Sequence, residues 1–116
     1  MTVARYHRVS TEDQDPQRQL DATADYVDRE FDEEPTEVYV DKSTGTDTAR
    51  DDYQRLMTDV EAGEIDAVVV HEVSRVSRSI RDLDRTVDRM ESYDTALHII
   101  SEGIVVDPVD ADPYQR

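Results

Sequence analysis

The sequence of 116 residues has no cysteine or tryptophan, three glycines, four prolines and a single lysine, Lys42. Without cysteine, disulfide bonds, thiolate zinc sites and cysteine nucleophiles are excluded. Long apolar runs are missing too, and the longest, Ala67–Val70, is far shorter than the ~20 residues that cross a bilayer. Since no repeat or low-complexity segment occurs, the length predicts one compact domain.

Basic residues are also few: the sequence has 13 of them and 29 acidic residues, which gives a formal net charge of −16. The carboxylates (19 Asp and 10 Glu) are spread along the whole chain. Such a surface is typical of proteins that stay soluble in molar salt, where a Debye length of ~3 Å limits self-repulsion. We therefore expect a cytoplasmic protein of an extreme halophile. The same charge argues against a general attraction to nucleic acid.

Alternating apolar periodicities predict an α/β fold. They indicate strands over 2–9, 37–40, 65–70, 97–101 and 104–106, and helices over 15–31 and 51–62 and from Ser79 onward. Gly63 is the expected end of the second helix, and the apolar segment 65–70 the expected central strand. This order predicts a three-layer, mainly parallel central sheet with helices on both faces. Functional groups then belong in the loops 8–15, 41–50 and 71–79, beyond the carboxyl ends of the strands.

Each of these three loops contains arginine. Arg8 lies near the end of the first strand, Arg50 at the start of the second helix, and Arg75 and Arg78 directly after the most apolar strand. Individually, each arginine is explained as well by solvation or by pairing with a carboxylate. Together they place four guanidinium groups at one sheet edge beside Ser10, a pattern that favours phosphoryl chemistry because guanidinium binds phosphate through two hydrogen bonds.

Other kinds of site are not supported by the sequence. His7, His71 and His98 belong to separate strands without the i, i+4 pairing of metal ligands. Neither a glycine-rich nucleotide loop nor a serine nucleophile elbow is present. We therefore expect no metal and no other cofactor.

Three motifs resemble those of the serine recombinases, the resolvase/invertase family. The first is Tyr6-x-Arg8-Val9-Ser10-Thr11 followed by Gln14 and Gln19; the second runs from Asp41-x-Ser43-x-Gly45 to Arg50; the third is Ser74-Arg75-Val76-Ser77-Arg78-Ser79. They occur in the family's order and span residues 6–79.

The resemblance implies that Ser10 attacks a DNA phosphodiester, forms a 5′-phosphoserine and frees a 3′-hydroxyl before strand exchange and religation. The residues that would line the phosphate pocket are Tyr6, Arg8, Arg50, Arg75 and Arg78. Those that would support the pocket are Gln14, Gln19, Asp41 and Ser74. The implied partners are DNA and other copies of the protein, as a homodimer and as a tetramer in the active synapse, with no metal or nucleotide cofactor.

One departure from the family pattern keeps an alternative open. Ser74 stands where the family most often has aspartate, so a catalytically inactive regulatory or assembly module is the second interpretation. A flavodoxin-like small-ligand binder is a third. Residues 1–106 are assigned to the catalytic domain, and residues 107–116 to an acidic tail or to the start of a connection to a dimerisation helix and DNA-binding domain. For 1–116 alone we expect no activity and negligible DNA affinity, which sub-micromolar binding in a gel-shift titration would contradict.

Overall fold

The computed structural model describes residues 2–10, 16–31, 36–43, 51–72 and 80–106. The described elements are β1 (Val3–Ser10), α1 (Pro16–Glu30), β2 (Thr36–Ser43), α2 (Asp51–Glu61), β3 (Ala67–Val70), α3 (Ile80–Ser92), β4 (Ala96–Ile99) and β5 (Ile104–Val106). Within these residues, no helix is long and apolar enough to cross a membrane.

A five-stranded sheet forms the centre of the molecule, in the order β2-β1-β3-β4-β5. Three strand pairs (β1 with β2, β1 with β3, β3 with β4) are parallel, and β5 pairs with β4 in the antiparallel direction. The mainly parallel sheet predicted from the sequence is confirmed. All four residues of β3 are buried, as expected for the predicted central strand.

Helices cover both faces of the sheet, which confirms the three layers. On one face, Leu56 and Val60 of α2 and Met90 of α3 pack in a cluster with strand residues such as Tyr6. On the other face, Val27 of α1 packs in a smaller cluster that includes Val3. The division follows from the strand geometry, because successive side chains of β1 point to opposite faces.

The boundary of β2 differs from the prediction. The sequence predicted a polar loop from Asp41 onward, whereas the strand continues to Ser43 and pairs residue by residue with β1. The prediction was wrong here because Asp41 looks like a loop residue by composition but is only 4% exposed. Hydrogen bonds, rather than apolar packing, hold it inside the fold.

Helix α2 ends at the predicted glycine. Gly63 has a positive φ of 75°, its N–H donates to the Val60 carbonyl at 3.0 Å, and the Glu64 N–H donates to the Asp59 carbonyl at 3.0 Å. This pair of bonds is the Schellman arrangement, which satisfies the last carbonyls of a helix. Asp94 has a φ of 56° and occupies the corresponding position after α3.

Candidate active site

Strands β1 and β2 run in register up to the carboxyl edge of the sheet. Arg8 lies opposite Asp41, and the two final residues, Ser10 and Ser43, lie opposite each other. In parallel sheets with helical crossovers, functional groups usually lie at the carboxyl edge. Ser10, which the resemblance implies as the nucleophile, is therefore the last residue of β1 at this edge.

A buried carboxylate connects three elements at this edge. Asp41 accepts hydrogen bonds from the Tyr6 hydroxyl at 2.7 Å, the Asp52 N–H at 2.8 Å and the Tyr53 N–H at 2.9 Å. The Val40 N–H in turn donates to the Asp52 carboxylate at 2.8 Å. The first N–H groups of a helix lack partners within it, so Asp41 caps α2 from the neighbouring strand.

This network, which we call the Asp41 clamp (Tyr6, Asp41, Asp52 and Tyr53), fixes the beginning of α2 on the sheet. Arg50 directly precedes α2 in the sequence. Tyr6 is fully buried, and its hydroxyl donates to Asp41.

The clamp also reaches the third helix. The Tyr53 ring packs edge-on against the Tyr6 ring, with centroids 5.7 Å apart. The Tyr53 hydroxyl lies 2.9 Å from the Thr86 hydroxyl of α3. Strand β1 and helices α2 and α3 are thereby joined on the face of the sheet toward which Tyr6 points.

On the opposite face of β1 lies a group of polar side chains that the sequence analysis did not select as a unit. The members of this β1–α1 polar seam are Arg5, His7, Gln19 and Thr23. The Arg5 guanidinium donates to the Thr23 hydroxyl at 3.2 Å and to the Leu20 carbonyl at 2.8 Å. His7 Nε2 lies 3.3 Å from the same Thr23 hydroxyl oxygen.

The Thr23 hydroxyl is the centre of the hydrogen bonds in the seam. Its oxygen lies 3.1 Å from the Gln19 carbonyl, 3.0 Å from the Leu20 carbonyl and 3.3 Å from His7 Nε2, which donates or accepts according to its tautomer. His7 Nδ1 and Gln19 Oε1 are buried without a hydrogen-bond partner.

Electrostatics in the seam favour the neutral imidazole. Burial, together with the smaller effects of the charges of Arg5 and His71, lowers the pKa of His7 from its ordinary 6.5 to about 4. Burial also lowers the pKa of Arg5, an effect that Asp28 and Asp21 oppose. Removal from water disfavours the charged form of a basic group, which explains both directions.

The structure thus places part of the predicted site. Tyr6 and Asp41 are buried on one face of β1, Gln19 is buried in the seam on the other face, and Arg8 is half-buried. For Ser10 the strand position is described but not the side chain. The predicted residues outside the described part of the chain are Gln14, Arg50, Ser74, Arg75 and Arg78. Within the described part, no group of three potential ligands could hold a metal ion.

Comparison with known proteins gives a consistent result. The family model described as "Resolvase, N terminal domain" matches residues 3–115. The Tn501 resolvase of Pseudomonas aeruginosa is 35% identical over 100 residues, which cover 86% of this chain and 47% of that protein. This chain spans about half the length of the curated relatives it matches.

Solved structures show the same likeness. The N-terminal catalytic domain of TP901-1 integrase has a TM-score of 0.75 and 30% identity, covering 90% of this chain and 81% of that one. A resolvase family site-specific recombinase from Streptococcus pneumoniae has the same fold, with a TM-score of 0.73 and 23% identity, over 99% of this chain and 80% of that one.

Proposed function

This chain belongs to the resolvase N-terminal domain family, and from that membership we propose that it cuts and rejoins DNA through Ser10 as the catalytic domain of a site-specific recombinase. The Ser10 hydroxyl oxygen forms a bond to the phosphorus of a DNA phosphodiester, and the bond from phosphorus to the 3′-oxygen breaks. The 3′-oxygen leaves as a hydroxyl with the proton that serine loses. Attack by a 3′-hydroxyl of another strand reverses these steps and releases the serine.

The position of Ser10 beside the Asp41 clamp is the observation that carries this proposal. Ser10 ends the strand that contains Tyr6, two residues beyond the register pair of Arg8 and Asp41. The clamp ties this strand end to the first turn of α2. The positive end of the α2 dipole also lies at this edge, but the N–H groups of Asp52 and Tyr53 are already bound to the Asp41 carboxylate, so the arginines rather than these N–H groups would bind the phosphate.

The arginines of the three motifs would stabilise the reaction. Attack on a phosphodiester increases negative charge on the non-bridging oxygens, and each well-placed donor contributes ~10²–10³ in rate in comparable sites. We assign this role to Arg8, Arg50, Arg75 and Arg78, and a supporting role to Gln14, Gln19, Asp41 and Ser74. Tyr6 is assigned to orienting Asp41, on the basis of its hydrogen bond.

The bond energy of the cleaved phosphodiester is retained in the phosphoserine, so the proposed cycle needs no nucleotide. Strand exchange requires two DNA duplexes and therefore several catalytic subunits. We propose DNA as the substrate and a tetramer, assembled from homodimers, as the active form.

Covalent trapping tests the proposal. The full gene product that carries this chain is incubated with DNA flanking its gene, denatured with SDS and digested with nuclease, and the modified peptide is identified by mass spectrometry. We expect a nucleotide on the peptide that contains Ser10, and no adduct for Ser10→Ala. Ser92→Ala, at the carboxyl end of α3, is the matched control and keeps the adduct. Equal adduct yields for Ser10→Ala and the unaltered protein would overturn the proposal.

An inactive regulatory or assembly module is the second candidate, and Ser74 is the observation that favours it. This candidate predicts no adduct with the unaltered protein. It also predicts that Ser74→Asp, which introduces the residue more common in the family, creates one.

A further inference from the structure

The β1–α1 polar seam contains buried polar atoms that reduce the stability of the fold. His7 is fully buried and Gln19 is 5% exposed, yet one polar atom of each has no partner. Buried polar groups are ordinarily hydrogen-bonded, and an unpaired one reduces stability. An apolar residue at position 7 would avoid this cost, because Val3 and Val27 already pack on the same face of the sheet.

The location of the seam suggests a function that compensates for this loss of stability. His7 is three residues before Ser10 on β1, and Thr23 is one helical turn after Gln19 on α1. The contact between His7 and Thr23 therefore joins the strand that carries the proposed nucleophile to the helix that carries a proposed supporting residue. Arg5 reinforces the same junction through Thr23 and Leu20.

We propose that His7 and Thr23 are positioning residues, whose hydrogen bond sets the carboxyl end of β1 relative to the first turns of α1 and so aligns Ser10 and Gln19 for strand cleavage. This inference rests on the proposed function. It assigns the reaction His7, at the variable position of the first motif, and Thr23, which lies outside the three motifs, and both act through the position of other groups.

The contact is directional, which distinguishes it from simple packing. The Thr23 hydroxyl lies within hydrogen-bond distance of the helix backbone, His7 and Arg5 at the same time, so each of these contacts depends on the direction as well as the distance of the partner. Rearrangement of this junction displaces the end of β1 against α1. Small displacements of reacting groups lower rates strongly, since alignment is a large part of catalysis.

The test measures single-turnover formation of the phosphoserine adduct by the full gene product at saturating DNA. Thr23→Val removes the hydroxyl while keeping the shape, and Thr23→Ser keeps the hydroxyl. We expect the rate constant to fall at least tenfold with Thr23→Val and to stay within about threefold of the original with Thr23→Ser. Val27→Ala, one turn further along the same buried face of α1, is the matched control for lost stability.

A purely structural role makes a different prediction. Lost stability reduces the fraction of folded protein and therefore the amplitude of the reaction, whereas misalignment reduces the rate constant of the folded molecules. A Thr23→Val protein with the rate constant of Val27→Ala would overturn the inference.

His7→Leu is a second variant, which we expect to remain folded because it replaces a fully buried imidazole, one of whose nitrogens has no hydrogen-bond partner, with an apolar side chain. We expect unchanged or higher thermal stability together with a slower rate constant. An unchanged rate constant would contradict the inference. These outcomes are separate from the proposed function, which fails only if the adduct does not depend on Ser10.

Discussion

At the scale of single residues, Asp41 shows how a short acidic side chain replaces apolar packing. Its carboxylate is almost fully buried and receives three hydrogen bonds, two from backbone N–H groups and one from a phenol. Hydrogen bonds to a charged group are stronger than those between neutral groups. Removing the acceptor breaks all three hydrogen bonds.

We therefore predict that Asp41→Ala lowers the free energy of unfolding by about 3 kcal/mol, since each lost hydrogen bond to this charged group costs about 1 kcal/mol or more. Urea denaturation followed by circular dichroism measures the change. Asp25→Ala, on the exposed side of α1, is the control and is expected to change stability by less than about 0.5 kcal/mol. Equal effects of the two substitutions would refute the clamp.

His7 gives the fold a specific acid sensitivity. Its pKa is about 4 in the folded protein and 6.5 as a model value, so the unfolded chain takes up the proton first as the pH falls. The neutral imidazole thus contributes stability above pH 6.5, and this contribution is lost between pH 6.5 and 4. The nearby charges on Arg5 and His71 act in the same direction.

The predicted loss is about 3 kcal/mol over this interval, from the relation of 1.36 kcal/mol per pKa unit. The unfolding free energy of His7→Leu should decline less steeply over the same range, because the shared carboxylates contribute equally to both proteins. Parallel pH profiles for the two proteins would show that His7 is not buried in its neutral form.

At the scale of secondary-structure elements, α2 and α3 end in the same way with different residues. Gly63 and Asp94 both have a positive φ at the position after the helix. The Thr95 N–H donates to the Met90 carbonyl at 2.8 Å, as the Glu64 N–H does to Asp59. A side chain makes this backbone conformation unfavourable, and glycine avoids the cost.

The two positions give opposite predictions. Gly63→Ala should lower the unfolding free energy by about 1 kcal/mol, although nothing lies within 4 Å of the added methyl group. Asp94→Gly should be neutral or raise it by up to about 1 kcal/mol. Thermal or urea unfolding of both variants checks the pair, and a stabilising Gly63→Ala would exclude this account of the helix end.

Elements with an apolar buried face could be predicted from the sequence. Ala67–Val70 and the stripe of Leu56, Met57 and Val60 are buried as the periodicity indicated. The carboxyl end of β2 could not be predicted, because the donors that bury Asp41 lie up to 35 residues away in the chain. The strand order also depends on contacts between distant segments.

The candidate site was predictable only where its residues form motifs. Ser10 was noted because it alternates with Tyr6 and Arg8, the resemblance implied the roles of Ser10 and Asp41, and the structure places their strand positions at one edge. The seam was missed because Arg5 and His7 interrupt the apolar alternation of β1, and their partner Thr23 is 18 and 16 residues away. Only the folded chain shows that one hydroxyl serves both side chains.

At the scale of the whole molecule, the main electrostatic feature is the net charge of −16. Carboxylates repel each other across the surface, and the repulsion weakens as added salt shortens the Debye length from ~10 Å at 0.1 M to ~3 Å at 1 M. A protein with such a surface is stabilised by salt unless its carboxylates are paired.

We predict that the unfolding temperature rises as KCl increases from 0.1 M to molar concentrations. A variant in which the exposed residues Asp25, Asp84 and Asp88 are changed to asparagine carries three fewer negative charges, and its unfolding temperature should depend less on salt. Differential scanning calorimetry measures both proteins. A flat or falling temperature for the original chain would contradict the halophilic interpretation.

The Asp41 clamp has a consequence for amide hydrogen exchange. The N–H groups of Asp52 and Tyr53 belong to a helix end, where exchange is ordinarily fast because the first turn frays, yet here both are bound to a buried carboxylate. Their protons can exchange only when the strand end and the helix separate. The edge that would receive a phosphate is therefore ordered before any substrate arrives, and binding there does not need to supply the entropy of forming that turn.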